Sequence, residues 1–182
     1  MSQVALPHLN TARLRLRPVT PADRAHLIAL EADPEVMYFL NGGLPVPEAG
    51  LHDADFLTPR GTEPEVMAAR EHASGRFLGW FALFDDGVVD GVNSAELGYR
   101  LCRTAWGKGY ATEGVLALVA QAFGPMDFGR VWAQTMAVNL ASRRVLEKAG
   151  FHHVDTVYPR SLFNIQGAVQ GEVVYEIRQG AR

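Results

Sequence analysis

The chain has 182 residues, 48% of them hydrophobic and 20% charged, with a formal net charge of -3. That is ample for one domain with a full core, and the slight acidic balance excludes a generalised nucleic-acid footprint while leaving room for a local basic patch that holds a phosphate. A single cysteine, Cys102, excludes a disulfide framework and a cysteine-cluster metal site, and no apolar run, Val115 to Phe123 included, is long enough to span a bilayer.

Thr11 to Pro18 sets Leu14 and Leu16 between Arg13, Arg15 and Arg17, the period of a half-buried strand. Thr20-Pro21 starts a helix, as N-cap and first helical residue, that carries Ala25, Leu27, Ile28 and Leu30 until Asp33-Pro34 interrupts it. Glu35 to Leu40 reads as a short second helix, Gly42 to Pro47 as a loop, and Pro47 as the opening of a further helix to about Leu57. Strands are expected at Glu65 to Glu71 and Arg76 to Phe84, joined by His72-Ala73-Ser74-Gly75. Asp85-Asp86-Gly87 and Asp90-Gly91-Val92-Asn93 read as a polar connection. In the strand Ser94 to Cys102, one face carries Ala95, Leu97, Tyr99 and Leu101, the other Glu96, Gly98, Arg100 and Cys102.

Thr112 to Phe123 is apolar nearly all round, so that helix should be heavily buried until Pro125 ends it. Arg130 to Met136 is a strand. Asn139 to Ala149 is a helix with Asn139 as N-cap, Gly150 in the left-handed position beyond its end and Phe151 as the accompanying apolar contact. His152 to Tyr158 and Glu172 to Ile177 are the last strands, so His152 and His153 point to opposite faces. No repeat or linker divides the chain, and Met1 to His8 lacks a basic or apolar leader pattern. The expectation is a cytoplasmic α/β (α+β) protein built on one sheet, a single domain over residues 1–182, with no metal and no membrane partner.

The informative segment runs strand, glycine turn, buried helix, strand, capped helix. Gly107 and Gly109 flank Lys108 where a strand feeds a helix N-terminus. Amides there lack intrahelical partners, the helix dipole adds positive potential, and glycine lets backbone approach a phosphate closely. Two other phosphate loops fail. A P-loop needs Ser or Thr after Gly-Lys, and Gly109 stands there; a Rossmann fingerprint needs a third glycine, absent from Gly107-Lys108-Gly109-Tyr110-Ala111-Thr112.

An ordered set surrounds the turn: Thr11-Ala12-Arg13-Leu14-Arg15-Leu16-Arg17, Asp33-Pro34-Glu35-Val36, Glu96-Leu97-Gly98-Tyr99, Trp106-Gly107-Lys108-Gly109-Tyr110-Ala111-Thr112-Glu113, Asn139-Leu140-Ala141-Ser142 and Leu146-Glu147-Lys148-Ala149-Gly150-Phe151. It resembles the GNAT acetyltransferase superfamily, and within it the group that includes ribosomal-protein N-terminal acetyltransferases. Trp106 stands where the superfamily usually has Gln or Arg, which is common in this group. The resemblance covers nearly the whole chain and is weakest at Gly43 to Pro64 and Pro159 to Gly171. It implies a mixed, mostly antiparallel sheet of about seven strands, splayed between the fourth and fifth and flanked by about four helices. It also implies direct transfer of the acetyl group of acetyl-CoA to a primary amine, a protein N-terminus or a small molecule, by a monomer or homodimer; a CoA-binding sensor module that has lost catalysis is the alternative.

By that resemblance the amides of Lys108, Gly109, Tyr110 and Ala111, continuing to Thr112, hold the CoA pyrophosphate, with Lys108 either adding charge or simply solvated. Leu101, Cys102 and Arg103 lie along pantetheine, and Cys102 is a packing residue because direct transfer needs no nucleophile. Asn139 adds a bond to the same arm besides capping its helix. Ser142 stabilises or protonates the departing thiolate, while Arg143 and Arg144 reach solvent or the CoA 3′-phosphate region. Glu96 is either the general base or a salt-bridge partner of Arg100 on its own face; Glu172 and Glu113 are weaker candidates, Glu113 favouring the helix N-terminus. A strand amide between Leu97 and Leu101 would polarise the thioester carbonyl. Acceptor choice falls to Glu35 to Phe56 and Pro159 to Gly171, where Met37, Tyr38, Phe39 and Leu40 line a pocket or join the core. Trp80, Trp106 and Trp132 read as packing.

Overall fold

Leu14 and Leu16 are fully buried while Arg13 and Arg15 stay exposed, so the alternation read from the first strand is realised in space. The computed structural model describes residues 8–45, 66–160 and 165–180; the helix expected from Pro47 to about Leu57 lies outside them. The elements in order are β1 (Leu9–Asn10), β2 (Leu14–Pro18), α1 (Arg24–Ala32), α2 (Pro34–Asn41), β3 (Met67–Glu71), β4 (Phe77–Val89), β5 (Val92–Leu101), α3 (Tyr110–Phe123), β6 (Arg130–Met136), α4 (Leu140–Lys148), β7 (His152–Val157) and β8 (Glu172–Arg178). Among the described residues the strands form one eight-stranded sheet in the order β1-β2-β3-β4-β5-β6-β8-β7. Every pairing is antiparallel except β5 with β6. The extra strand beyond the expected seven is the two-residue β1.

Two apolar layers cover the sheet. On one side α3 and α4 pack through Val115, Leu118 and Leu146 on Phe81, Leu97, Val131 and Tyr175. On the other, Leu27, Leu30 and Val36 of α1 and α2 meet Phe77, Trp80 and Ala82. Helix α3 lies directly on β4: a Cβ at Gly114 would fall 2.2 Å from Phe81 Cζ, so only glycine fits there.

The polar connection expected after Phe84 is instead a long hairpin. β4 continues to Val89, and only Asp90-Gly91 turns, both with positive φ of 52° and 80°. An Asp-Gly pair suits a two-residue turn matched to strand twist, and that local geometry outweighs the polar composition. Asp86 is the extra residue of a β-bulge between Asp85 and Gly87.

Thr20-Pro21 opens a 3-10 turn that leads into α1, and Asp33 caps α2 by accepting from Glu35 N at 3.0 Å. Asp23 is fully buried, and its carboxylate accepts from Arg17 Nη1 and Nη2 at 2.7 and 2.8 Å, Thr20 N at 3.0 Å and Arg70 Nη2 at 3.0 Å. Burial alone would raise its pKa, but these bonds and the Arg17 charge outweigh it and lower the value to about 2. The stability this carboxylate contributes is therefore complete above its unfolded pKa and lost as pH falls through about 2. Asp23→Asn should cost about 2 kcal/mol at neutral pH, and urea titrations should show a flatter acid dependence in the variant.

Candidate active site

Strand β5 ends at Leu101, where a 3-10 turn over Arg103–Ala105 and the residues Trp106 to Gly109 carry the chain into α3. Gly107 and Gly109 have φ of 70° and 81°, conformations that exclude most side chains. The first backbone bond of α3 runs from Glu113 N to Gly109 O, so the amides of Tyr110, Ala111 and Thr112 precede its ladder. The helix starts two residues before the expected Thr112. Trp106 Nε1 donates to Leu101 O at 2.8 Å and ties the turn to the strand end. Lys108 Nζ folds back onto Thr104 O at 2.7 Å. Tyr110 is buried and donates its hydroxyl to Glu71, so only its backbone faces the turn.

Beside the turn the sheet opens. β5 and β6 pair only at Ser94 with Arg130, Ala95 with Val131 and Glu96 with Trp132. Leu97 to Leu101 have no β6 partner, so the backbone edge there is free to bond an extended arm. With β1 counted, the splay falls between the fifth and sixth strands of this sheet.

Glu96 occupies the last paired position, at the lip of the opening. The salt bridge to Arg100 is not formed: Arg100 Nη1 donates instead to the buried Glu31 of α1, and its guanidinium lies 5.3 Å from the Trp80 ring centroid. A partner on another element, hidden from the linear sequence, takes the arginine. Among the described residues the Glu96 carboxylate carries no hydrogen bond or ion pair. Burial raises its pKa, and repulsion from Asp86 and Glu172 adds to the shift. Glu172 is itself raised by burial. Trp132 donates Nε1 to Asp86 at 3.0 Å, so this tryptophan orients an acidic side chain.

On the helix side of the opening, Asn139 Oδ1 caps α4 by accepting from Ser142 N at 3.2 Å. Ser142 Oγ is 2.8 Å from Tyr99 Oη. Tyr99 is held above its ordinary pKa, at about 12, by burial. Glu96 and Tyr99 point to opposite faces of β5, so the acidic lip and the Tyr99–Ser142 pair lie on different sides of the strand. Arg143 donates to Tyr175 Oη at 3.1 Å and Ala137 O at 3.0 Å, braced by the polar tip of a core tyrosine. Arg144 is exposed.

The other expected site residues keep to the strand end. Leu101 is buried, Cys102 N donates to Leu78 O at 2.8 Å, and burial raises the Cys102 thiol pKa, which suits packing rather than nucleophilic chemistry. Arg103 pairs with Glu35 at the start of α2. Burial would raise the Glu113 pKa, but bonds from Thr11 Oγ1 and from Arg13 hold it below the usual range.

The two segments assigned to acceptor choice do meet. Tyr38 Oη donates to Gln166 Oε1 at 2.7 Å, and Phe39 packs on Met136, Ile165 and Ala168. Met37 is core, while Leu40 is exposed. Sequence reasoning placed Tyr99 on the correct face but gave it no partner, because Ser142 lies 43 residues away. It missed Asp86, whose direction depends on the bulge.

Residues 13–152 match the family model described as "Acetyltransferase (GNAT) domain". The FsC-acetyl coenzyme A-N(2)-transacetylase of Aspergillus fumigatus is 33% identical over 184 residues, covering 97% of this chain and 78% of that protein. A solved spermidine N-acetyltransferase from Vibrio cholerae, in complex with CoA and spermine, superposes with a TM-score of 0.78 at 16% identity, covering 93% of this chain and 97% of that one. A putative ribosomal-protein-serine acetyltransferase from Vibrio cholerae gives 0.73 at 19% identity, covering 94% and 97%. The family model over residues 13–152 and the Aspergillus fumigatus relative show that the chain belongs to the GNAT acetyltransferase family, as an N-acetyltransferase.

Proposed function

We propose that the chain, as one domain over residues 1–182, moves the acetyl group of acetyl-CoA directly onto a primary amine of a small molecule. The observation that carries this reading is the opening between β5 and β6, with the unpaired, desolvated Glu96 at its lip. Acetyl-CoA supplies the acyl group as an activated thioester. The amides from Lys108 to Thr112 hold its diphosphate, and the free edge of β5 with Leu101, Cys102, Arg103 and the Asn139 carboxamide follows the pantetheine arm. The fit rests on the positive-φ glycines and on helix amides that lack an internal partner.

Glu96 takes a proton from the incoming ammonium, directly or through a water, which frees the nitrogen lone pair for the thioester carbon. The N–C bond forms and the C–S bond breaks as the nitrogen gives up its second proton to solvent, from which Tyr99 is reprotonated, and Ser142 Oγ passes a proton to the departing sulfur. Tyr99, protonated at neutral pH because its pKa is about 12, resupplies Ser142 across 2.8 Å. A thiol of pKa ~8.5 leaves readily without help, so Ser142→Ala should lower kcat by about ten-fold or less in a thiol-release assay, with the KM for acetyl-CoA little changed.

A small-molecule acceptor is supported by the Aspergillus relative, which is named for transfer to an N(2) position. The acidic lip of Glu96, Asp86 and Glu172 would attract a cationic amine. A protein N-terminus is the second reading, supported by the ordered motifs and by the Vibrio cholerae structure named as a ribosomal-protein-serine acetyltransferase. Thiol release with polyamines, aminoglycosides and peptides bearing free N-termini separates them. Turnover of a small-molecule amine is expected; turnover confined to peptide N-termini would replace this reading with the second.

A further inference from the structure

The turn that faces the diphosphate is held from outside by a residue nearly a hundred positions earlier. Arg13, just before β2, reaches across to α3. Its Nε donates to Glu113 Oε2 at 2.7 Å, its Nη2 lies 2.6 Å from the same oxygen, and its Nη1 donates to Lys108 O at 2.8 Å. The guanidinium lies 4.6 Å from the Tyr110 ring centroid, and Nη2 is 3.3 Å from where a Cβ on Gly109 would be. Glu113 is fixed in turn by Thr11 Oγ1 at 2.5 Å and by Arg13 N at 2.8 Å. The arginine side chain is nonetheless 46% exposed, whereas the glutamate is 17% exposed.

A surface ion pair alone would contribute little, yet this one sets two N–H groups of the guanidinium on a single carboxylate oxygen, lies against an aromatic ring and is bonded to a backbone carbonyl inside the turn. The bond to Lys108 O opposes rotation of the Lys108–Gly109 peptide, whose amide is to face the ligand. Glu113 places a carboxylate in the first turn of α3, where it offsets part of the positive potential that attracts an anion. Arg13 cancels that carboxylate, and its fork keeps donor capacity that these contacts do not use.

We infer that Arg13 is a diphosphate-site residue: it fixes the Lys108-Gly109 turn, neutralises Glu113 and presents its unused N–H groups to the diphosphate of the acyl donor. The inference rests on the assignment of that turn to the donor's diphosphate. It also gives Gly109 a second reason to be glycine, since Arg13 fills the space a side chain would take.

The test compares two acyl donors, acetyl-CoA and S-acetylpantetheine, which lacks the diphosphate, with one amine acceptor. Wild-type protein should prefer acetyl-CoA strongly in kcat/KM. Arg13→Gln should raise the KM for acetyl-CoA by about ten-fold or more, leave kcat nearly unchanged, and leave kcat/KM for S-acetylpantetheine at the wild-type value. Arg13→Lys, which keeps the charge and loses the fork, should fall between the two. A wild type indifferent to the diphosphate would overturn the turn assignment itself. A wild type that prefers acetyl-CoA, with Arg13→Gln keeping that preference, would overturn the role of Arg13 alone. Equal losses with both donors would reduce Arg13 to a structural brace and also overturn it. If Arg13→Gln does not fold, the lysine variant decides, and a wild-type donor preference there would remove the fork from the site.

Discussion

Glu96→Gln should lower kcat/KM for the amine by about 100-fold or more while leaving the dissociation constant for acetyl-CoA within about two-fold of wild type. A general base works only when deprotonated. Burial raises the Glu96 pKa, with Asp86 and Glu172 adding to the shift, so the wild-type rate should climb with pH through a limb above the ordinary carboxylate range. The glutamine has no such ionisation and should lose that limb; the amine's own titration is common to both proteins and cancels in the ratio of their profiles. Folding stability provides the control. A carboxylate with a raised folded pKa contributes stability below its unfolded pKa, and that contribution is lost as pH rises through the raised value. The neutral amide suffers no such loss, so Glu96→Gln should be at least as stable as wild type at neutral pH in thermal melts. A residue that lowers activity when present only as its isostere, yet does not support the fold, is the signature of a functional group. A rate and pH profile unchanged by the substitution would remove Glu96 from the mechanism.

Gly109→Val should raise the KM for acetyl-CoA by about 100-fold, with a much smaller effect on kcat once the donor is saturating. Three effects act in the same direction. The residue sits at φ 81°, where a β-branched side chain is strained by about 1–3 kcal/mol. Its Cβ would press on Arg13 Nη2 at 3.3 Å and disturb the brace on Lys108. Its methyl groups would also stand over amides that must approach a phosphate closely. Isothermal titration with CoA measures the loss directly, and Gly109→Ala should fall between the two. Retained CoA affinity in the valine variant would show that the diphosphate binds elsewhere.

The contrast between Glu96 and Arg100 shows where sequence reading stops. Alternation along β5 put both on one face and made their pairing attractive, and the facing was right. The pairing was wrong because Glu31, 69 positions earlier, is delivered by α1 to the same place and buries the arginine over Trp80. The hairpin after Phe84 failed for a different reason. Composition favoured a loop, but a two-residue Asp-Gly turn and one bulge let the strands run on to Val89. That bulge is also what aims Asp86 toward Trp132 and the lip.

By itself, the sequence determined what depends on short-range periodicity and backbone chemistry: the strands and helices around the site, the glycine turn at the start of α3, the Asn139 cap and the inward face of Ser142. These are local because neighbours along the chain set φ, ψ and the side-chain period. Tertiary structure alone decided which distant groups come together around the opening and the turn. It separated β5 from β6 beyond Glu96, left that carboxylate without a partner, set Tyr99 against Ser142 and laid Arg13 against Gly109. Each of these depends on the packing of helices on opposite faces of one sheet, and chain distance carries no record of it.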